Sequence, residues 1–167
     1  EQLGQEAVVV RYTEQLAEID GIILPGGERT TMGKLLNRTG MMEPLREKIQ
    51  QGMPVWGTCA GMILLAKELD QDPVVHLGMM DITVRRNAYG SFDTQVVIPE
   101  VSDEQIPLVF IRAPYIVRTG ERVKVLCEVE RHVVAAREKN MLATSFHPEL
   151  TGNAAFHQYF IGMCSGK

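Results

Sequence analysis

The 167 residues, 45% hydrophobic and 23% charged, fit one globular domain of about 100–200 residues that is large enough to fold without disulfides or metal. A net charge of −4 gives no electrostatic reason to expect nucleic acid or an anionic membrane as partner. Three cysteines indicate neither a disulfide framework nor a zinc site, and no apolar run reaches the roughly 18 residues of a membrane span. We therefore expect a cytoplasmic α/β domain with no metal or cofactor.

The first part of the chain alternates short apolar runs with helical patterns. Continuous apolar runs are typical of strands buried on both faces of a parallel sheet. Such runs occupy Ala7–Val10, Gly21–Leu24 and Met53–Gly57. Helical spacing predicts a helix over Met32–Gln51, divided near Gly40 and Pro44, and a second over Ala60–Leu69.

From Met79 onward the pattern becomes strand-like, with turns between the segments. The predicted strands are Ile82–Val84, Thr94–Ile98, Leu108–Ile111, Val123–Cys127 and Val133–Ala136, followed by Met141–Phe146 and a closing helix over Ala154–Met163. This order predicts an α/β fold, an open and mostly parallel sheet with flanking helices and a small β-rich addition. A single domain covers residues 1–167.

A possible nucleophile lies between a predicted strand and a predicted helix. Gly57-Thr58-Cys59-Ala60-Gly61 fits the G-x-nucleophile-x-G elbow, in which side chains at the glycine positions would collide with neighbouring backbone. The turn points the Cys59 sulfur at a helix N-terminus, which favours the thiolate. The alternative is a small buried cysteine in a glycine-rich turn.

A thiolate nucleophile needs a base, which is usually histidine. Of four histidines, His76 and His132 are predicted to be solvated, and His157 to be packed or exposed in the last helix. His147 instead ends an apolar strand, where open α/β sheets place their chemistry. Glu149 follows two residues later and has the right spacing to orient the imidazole. The alternative for this His-Pro-Glu segment is a polar turn.

A third segment with catalytic potential is Leu24-Pro25-Gly26-Gly27-Glu28. Two glycines at the end of a buried strand let backbone N–H groups approach a ligand closely. Together with the amide of Ala60, this loop has the composition of an oxyanion hole. The alternative is an ordinary Pro-Gly-Gly turn.

These segments together resemble the class I, triad-type glutamine amidotransferases. Within that class, the chain is similar to the glutaminase subunits of two-component pyridoxal 5′-phosphate synthases over nearly its whole length. The elbow and the His-Pro-Glu segment belong to the whole class, and RNAYG and FIRAP point to the vitamin B6 subfamily. The similar segments are Leu24–Met32, Met42–Glu47, Gly57–Leu69, His76–Val84, Arg86–Gly90, Val109–Pro114 and Ser145–Thr151.

The resemblance implies that the chain hydrolyses L-glutamine to glutamate and ammonia and delivers the ammonia to a synthase subunit. It implies a catalytic triad of Cys59, His147 and Glu149, with the amides of Gly27 and Ala60 as the oxyanion hole. It also implies glutamine-binding positions at Gly27, Glu28, Arg29, Arg86, Ile111 and Arg112. Without the resemblance, Arg86 and Arg112 are each equally well explained as structural ion-pair residues.

The chain departs from the family pattern in three places. A further strand and a Leu-Gln-Gly loop precede the corresponding region in the family, and a few residues including Arg-Gln follow the equivalent of Gly90. We interpret both as segments of a longer chain rather than deletions. Arg29 stands where the family has serine, so a bulky cation lies beside the expected glutamine pocket.

Two other functions remain open at this point. A Cys-dependent peptidase or deglycase of related fold also uses a nucleophile elbow, but has little use for two arginines directed at a free carboxylate. A non-catalytic amidotransferase subunit is the other alternative, and the presence of Cys59, His147 and Glu149 argues against it.

Overall fold

An eight-stranded sheet organises the part of the chain that the computed structural model describes, residues 4–25, 36, 38–86 and 89–166. Its strands and those of a two-stranded sheet are β1 (Ile22–Leu24), β2 (Val55–Thr58), β3 (Ala66–Leu69), β4 (Met80–Arg85), β5 (Phe92–Ile98), β6 (Ser102–Phe110), β7 (Tyr115–Thr119), β8 (Lys124–Val129), β9 (His132–Glu138) and β10 (Met141–Thr144). The helices are α1 (Met42–Gln50), α2 (Ala60–Leu65) and α3 (Ala155–Cys164), and 3₁₀ turns span Thr13–Ala17 and Pro148–Leu150.

The strand order is β1-β2-β10-β9-β7-β4-β3, with β8 paired to β9 and with β5 and β6 forming a separate antiparallel hairpin. Strands β1, β2 and β10 run parallel to one another, and so do β3 and β4. The other pairs within the described residues are antiparallel. The predicted α/β class with additional β structure is confirmed, and two of the three parallel strands, β2 and β10, lead to the elbow and the histidine.

Both faces of the sheet are covered, which explains why its central strands are apolar without alternation. In β2, successive side chains point to opposite faces. Val55 joins a cluster that includes Leu45 and Leu64, whereas Trp56 joins one that includes Phe146 and Phe156. Every residue of β2 and β10 is buried. No helix among the described residues is long and apolar enough to cross a membrane.

Two predicted elements are wrong and one strand was missed. The apolar run Ala7–Val10 forms no strand, and Val9 is 71% exposed, because none of the described strands pairs with it. The helix predicted over Ala60–Leu69 ends at Leu65, since Ala66–Leu69 pairs with β4 as β3. Strand β7, Tyr115–Thr119, was not predicted.

The predicted helix over Met32–Gln51 is only partly described, because residues 26–35 and 37 lie outside the described chain. Within it, Gly40 adopts a positive φ of 70° and separates α1 from the preceding turn. Pro44 does not divide the helix. It lies in the first turn of α1, where a missing N–H removes no intrahelical hydrogen bond.

Candidate active site

Cys59 occupies a sharp turn between β2 and α2. Its backbone is left-handed, with φ 52° and ψ −106°, a conformation that costs energy in a residue other than glycine. A Cβ at Gly57 would lie 2.5 Å from the Gly61 carbonyl oxygen, and one at Gly61 would lie 2.0 Å from the Leu24 carbonyl oxygen. Both glycines are therefore required for α2 to fold back so closely on the strands.

The neighbouring strand brings His147 to the same edge of the sheet. Thr144 lies opposite Thr58 in the parallel register of β10 and β2, and the Cys59 N–H donates a 2.8 Å hydrogen bond to the Thr144 carbonyl. His147 follows three residues after Thr144, and its own N–H donates to the Val109 carbonyl at 2.9 Å. The carboxyl ends of two adjacent parallel strands thus carry the thiol and the imidazole.

His147 and Glu149 form a hydrogen-bonded pair. The distance from Nδ1 of His147 to Oε2 of Glu149 is 2.8 Å, with the imidazole 14% exposed and the carboxylate 53% exposed. A carboxylate can only accept, so Nδ1 carries the hydrogen and Nε2 of the neutral ring has a free lone pair. This tautomer is the one that a general base needs to accept a proton at Nε2.

The electrostatics of Cys59 differ from the expectation that the helix N-terminus would favour the thiolate. Burial of the side chain is the largest effect and raises the pKa of the Cys59 thiol above its ordinary value. The Ala60 N–H, bonded to the sulfur, lowers that pKa, and the charge of Glu149 raises it again. Burial outweighs the amide, so the resting form is the thiol. Among the described residues, no direct hydrogen bond joins Cys59 to His147.

Only part of the predicted oxyanion hole and glutamine pocket is described. Ala60 opens α2, and its amide lies at the sulfur. Strand β1 is parallel to β2, with Leu24 opposite Gly57, so the chain leaves β1 at the edge that carries Cys59. The predicted residues that follow, Gly27, Glu28 and Arg29, lie outside the described residues.

The two predicted recognition segments are hydrogen-bonded to each other. The Tyr89 N–H donates to the Ala113 carbonyl at 3.1 Å, and the Ala113 N–H donates to the Gly90 carbonyl at 3.3 Å. Arg112 has a positive φ of 45°, and its N–H donates to Ser91 Oγ at 3.1 Å. Because His147 is bonded to Val109, the turn that carries Ile111 and Arg112 begins beside the histidine.

Arg86 and Arg112 are both exposed side chains in these segments. The Nε of Arg86 lies 4.0 Å from Oδ2 of Asp72, an ion pair at the outer limit of contact. Ile111 is likewise exposed. The segments that carry these arginines are thus bonded at Tyr89–Gly90 and Ala113, and Arg86 is loosely paired with a carboxylate.

The other three histidines have contacts that packing and hydrogen bonding explain. His132, predicted to be solvated, is instead half-buried and stacks on Tyr115 with ring centroids 4.0 Å apart. His76 is also partly buried, and its carbonyl accepts a hydrogen bond from Arg46. His157 packs edge-on against Trp56 at 5.0 Å, and burial lowers the pKa of this imidazole.

Sequence reasoning missed one buried polar contact beneath the site. Trp56 Nε1 donates a 3.0 Å hydrogen bond to Thr144 Oγ1, and both side chains are fully buried. The two residues are 88 positions apart. No spacing pattern signals such a pair, which becomes visible only once β2 and β10 are adjacent.

Comparison with known proteins identifies the class to which this fold and site belong. A crystal structure of a glutamine amidotransferase matches with a TM-score of 0.93 and 39% identity, covering 98% of this chain and 89% of that chain. The SNO glutamine amidotransferase family matches residues 1–166, and the chain belongs to that family.

Individual relatives narrow the comparison further. The pyridoxal 5′-phosphate synthase subunit PdxT of Clostridium acetobutylicum is 56% identical over 165 residues, 96% of this chain and 89% of the relative. The PdxT of Streptococcus pneumoniae is 52% identical over 175 aligned residues, 100% of this chain and 89% of the relative. The resemblance predicted from the motifs is confirmed, and these relatives favour it over a peptidase or deglycase.

Proposed function

We propose that the chain hydrolyses L-glutamine to L-glutamate and ammonia and passes the ammonia to the synthase subunit of a pyridoxal 5′-phosphate synthase. The observation that carries this proposal is the placement of the Cys59 elbow beside the bonded pair His147 and Glu149, at the ends of adjacent parallel strands. Membership of the amidotransferase family and the names of the relatives support the substrate and the partner.

In the first half of the reaction, Nε2 of His147 takes the proton of the Cys59 thiol, and the sulfur attacks the side-chain amide carbon of glutamine. The raised pKa of Cys59 makes this transfer necessary, because the sulfur rests as the thiol. Glu149 holds the imidazole at Nδ1 and stabilises its protonated form. The tetrahedral intermediate then collapses as His147 protonates the leaving nitrogen, which gives ammonia and a thioester on Cys59.

In the second half, His147 removes a proton from water, and the hydroxide attacks the thioester carbon. Collapse of this intermediate releases glutamate, and the proton returns to the sulfur. Both intermediates carry a negative oxygen, which the amides of Ala60 and Gly27 would stabilise. One such donor contributes about 2.7–4 kcal/mol of transition-state stabilisation. Ammonia is small and neutral when released, so transfer to a partner needs only a protected path.

The amino-acid end of glutamine would be bound by the joined segments. The guanidinium groups of Arg86 and Arg112 offer planar, paired donors for the α-carboxylate, and Ile111, next to Arg112 in the chain, belongs to the proposed set. Gly27, Glu28 and Arg29 complete that set from the loop after β1. The loose pairing of Arg86 with Asp72, at 4.0 Å, leaves the guanidinium able to change partners when a carboxylate arrives.

The partner also offers a means of control. An always-active glutaminase in the cytoplasm would waste glutamine, and a glycine peptide such as Gly26-Gly27 can rotate its N–H into or out of an oxyanion hole with little intrinsic resistance. Loss of that donor lowers the rate about a hundred- to a thousandfold. We therefore expect low glutaminase activity in the isolated chain and a rise of at least tenfold when the synthase subunit is bound.

The experiment is steady-state glutamate release at saturating glutamine, with and without stoichiometric synthase subunit. The Cys59→Ala variant, assayed in both conditions, corrects for glutamine breakdown that does not depend on the site. Equal rates with and without the subunit would contradict partner control. Absence of Cys59-dependent release in both conditions would contradict the glutaminase function and leave a non-catalytic subunit.

A further inference from the structure

Thr144, the last residue of β10, is bonded to the β2 segment through both its side chain and its backbone. Its Oγ1 accepts the hydrogen bond from Trp56 Nε1 at 3.0 Å, and its carbonyl accepts the one from the Cys59 N–H at 2.8 Å. Thr144 and Trp56 are fully buried, so water cannot replace either side-chain partner. A buried bond of this kind is unfavourable to leave half made.

These bonds are placed symmetrically with respect to the two reacting groups. Trp56 precedes Cys59 by three residues, and Thr144 precedes His147 by three. Because β2 and β10 are parallel and in register at this point, any sliding of one strand along the other changes the distance from the sulfur to the imidazole. The side-chain bond resists that sliding directly beneath the site.

The Trp56 side of this contact is closely packed. Its ring packs edge-on against His157 and lies 6.2 Å from Phe156 and 5.7 Å from Phe160, measured between ring centroids. The Cys59 side is strained, with φ 52°, and such backbone persists only where its surroundings over-determine it. The carbonyl of Thr144 is one of the groups that hold it.

The geometry points to Thr144 as a positioning residue of the glutaminase site: it joins Trp56 to the Cys59 turn and so fixes the thiol in relation to His147. Thr144 touches neither the substrate nor the reacting atoms and acts through Cys59 and Trp56. The inference rests on the proposed function. The bond between these two buried side chains should therefore affect the rate of the chemical step rather than the binding of glutamine.

The test uses variants that remove this bond from either side, assayed in the complex with the synthase subunit. Thr144→Val removes the hydroxyl at nearly constant volume, Trp56→Phe removes the indole N–H, and Thr144→Ser keeps the hydroxyl. Thr83→Val is the matched control, because Thr83 is a buried threonine of β4 whose hydroxyl is bonded to Arg118, three strands away from β10. Active sites are counted by labelling Cys59 with a glutamine-mimicking electrophile, and rates are taken well below each unfolding midpoint.

We expect kcat per labelled site to fall about tenfold in Thr144→Val and in Trp56→Phe, with KM within about twofold of wild type, because small misplacement of reacting groups slows chemistry strongly. The double variant should lose no more than the more affected single variant, since both substitutions remove the same bond. Thr144→Ser and Thr83→Val should stay within about twofold of wild type in kcat. Should Thr144→Val fail to fold, Trp56→Phe carries the same expectation.

Three results would overturn the inference. The first is a kcat in Thr144→Val and Trp56→Phe equal to that of Thr83→Val. The second is a kcat loss in the double variant equal to the product of the two single losses. The third is a rise in KM without a fall in kcat in the single variants. A wild-type complex that releases no glutamate would instead contradict the proposed function, and the inference with it.

Discussion

Gly61 lies against Leu24 so closely that a β-carbon at position 61 would be 2.0 Å from the Leu24 carbonyl oxygen. This contact packs the first turn of α2 on the end of β1. It fixes how near the Cys59 turn comes to the end of β1, and the second oxyanion donor is proposed to follow that strand in the chain.

The first prediction follows from that contact. Gly61→Ala must push α2 away from β1, and overpacking of this kind costs about 1–3 kcal/mol of the free energy of unfolding. We expect a lower midpoint in thermal unfolding and a loss of glutaminase activity in the molecules that remain folded.

Gly162→Ala is the matched control, because a β-carbon at this position of helix α3 meets no atom within 4 Å. It should raise stability by about 0.5–1 kcal/mol. A stable and fully active Gly61→Ala protein would contradict the close-packed elbow.

The second prediction concerns which cysteine reacts. Cys59→Ala should abolish glutaminase activity and covalent labelling by a glutamine-mimicking electrophile, whereas Cys127→Ala and Cys164→Ala should keep both. Burial raises the pKa of the Cys127 thiol to about 11 and also raises the pKa of Cys164, and neither lies in an elbow. Peptide mapping of the labelled protein by mass spectrometry locates the adduct. Labelling that persists in Cys59→Ala would refute the assignment.

The third prediction separates two effects of Glu149 by their pH dependence. The negative charge of Glu149 raises the pKa of Cys59, so removing that charge in Glu149→Gln should lower the pKa. The pH profile of Cys59 alkylation by iodoacetamide should therefore shift to lower pH. Glutaminase kcat should nevertheless fall by about a hundredfold or more, because His147 loses the partner that fixes its tautomer.

The control for this prediction is Glu128→Gln, which removes an exposed carboxylate whose charge acts on Cys127 instead. It should leave both the alkylation profile of Cys59 and kcat unchanged. An alkylation profile that moves to higher pH in Glu149→Gln, or a kcat that does not change, would contradict the proposed role of the pair.

The fourth prediction concerns substrate recognition. Replacing Arg86 or Arg112 with alanine should raise KM for glutamine about ten- to a hundredfold with a smaller effect on kcat. A charge-assisted contact contributes about 1.5–3 kcal/mol, and its loss weakens binding in both the ground and the transition state. Arg118→Ala is the control, because Arg118 pairs with Asp81 at 2.7 Å outside the proposed set. Normal KM values in both variants would show that the carboxylate is bound elsewhere.

The proposed reacting groups have clearer signals in the sequence than the elements around them. Cys59 and His147 could be proposed because glycines and a strand end mark them, and such local motifs can be recognised without knowledge of packing. The strand predicted over Ala7–Val10 is wrong because an apolar segment becomes a strand only when another strand pairs with its backbone hydrogen-bonding groups. Helix α2 was predicted too long because its residues are buried on all sides, so no periodicity marks where the helix ends.

Properties that depend on tertiary structure could not be predicted. The sequence suggested that the helix N-terminus would favour the Cys59 thiolate, but the pKa is raised because the whole fold buries the sulfur. The bond between Trp56 and Thr144 likewise exists only because two distant segments become adjacent strands. Both features depend on neighbours that are remote in the chain.

The paired hydrogen bonds between Tyr89–Gly90 and Ala113 make the two arginine-bearing segments one mechanical unit. A ligand that draws one segment inward must move the other with it, so the two arginines would engage an amino acid together rather than in turn. Glutamine analogues that lack the carboxylate would then lose both contacts at once. The chain would therefore discriminate between a free amino acid and a side chain within a peptide more strongly than two independent arginine contacts would.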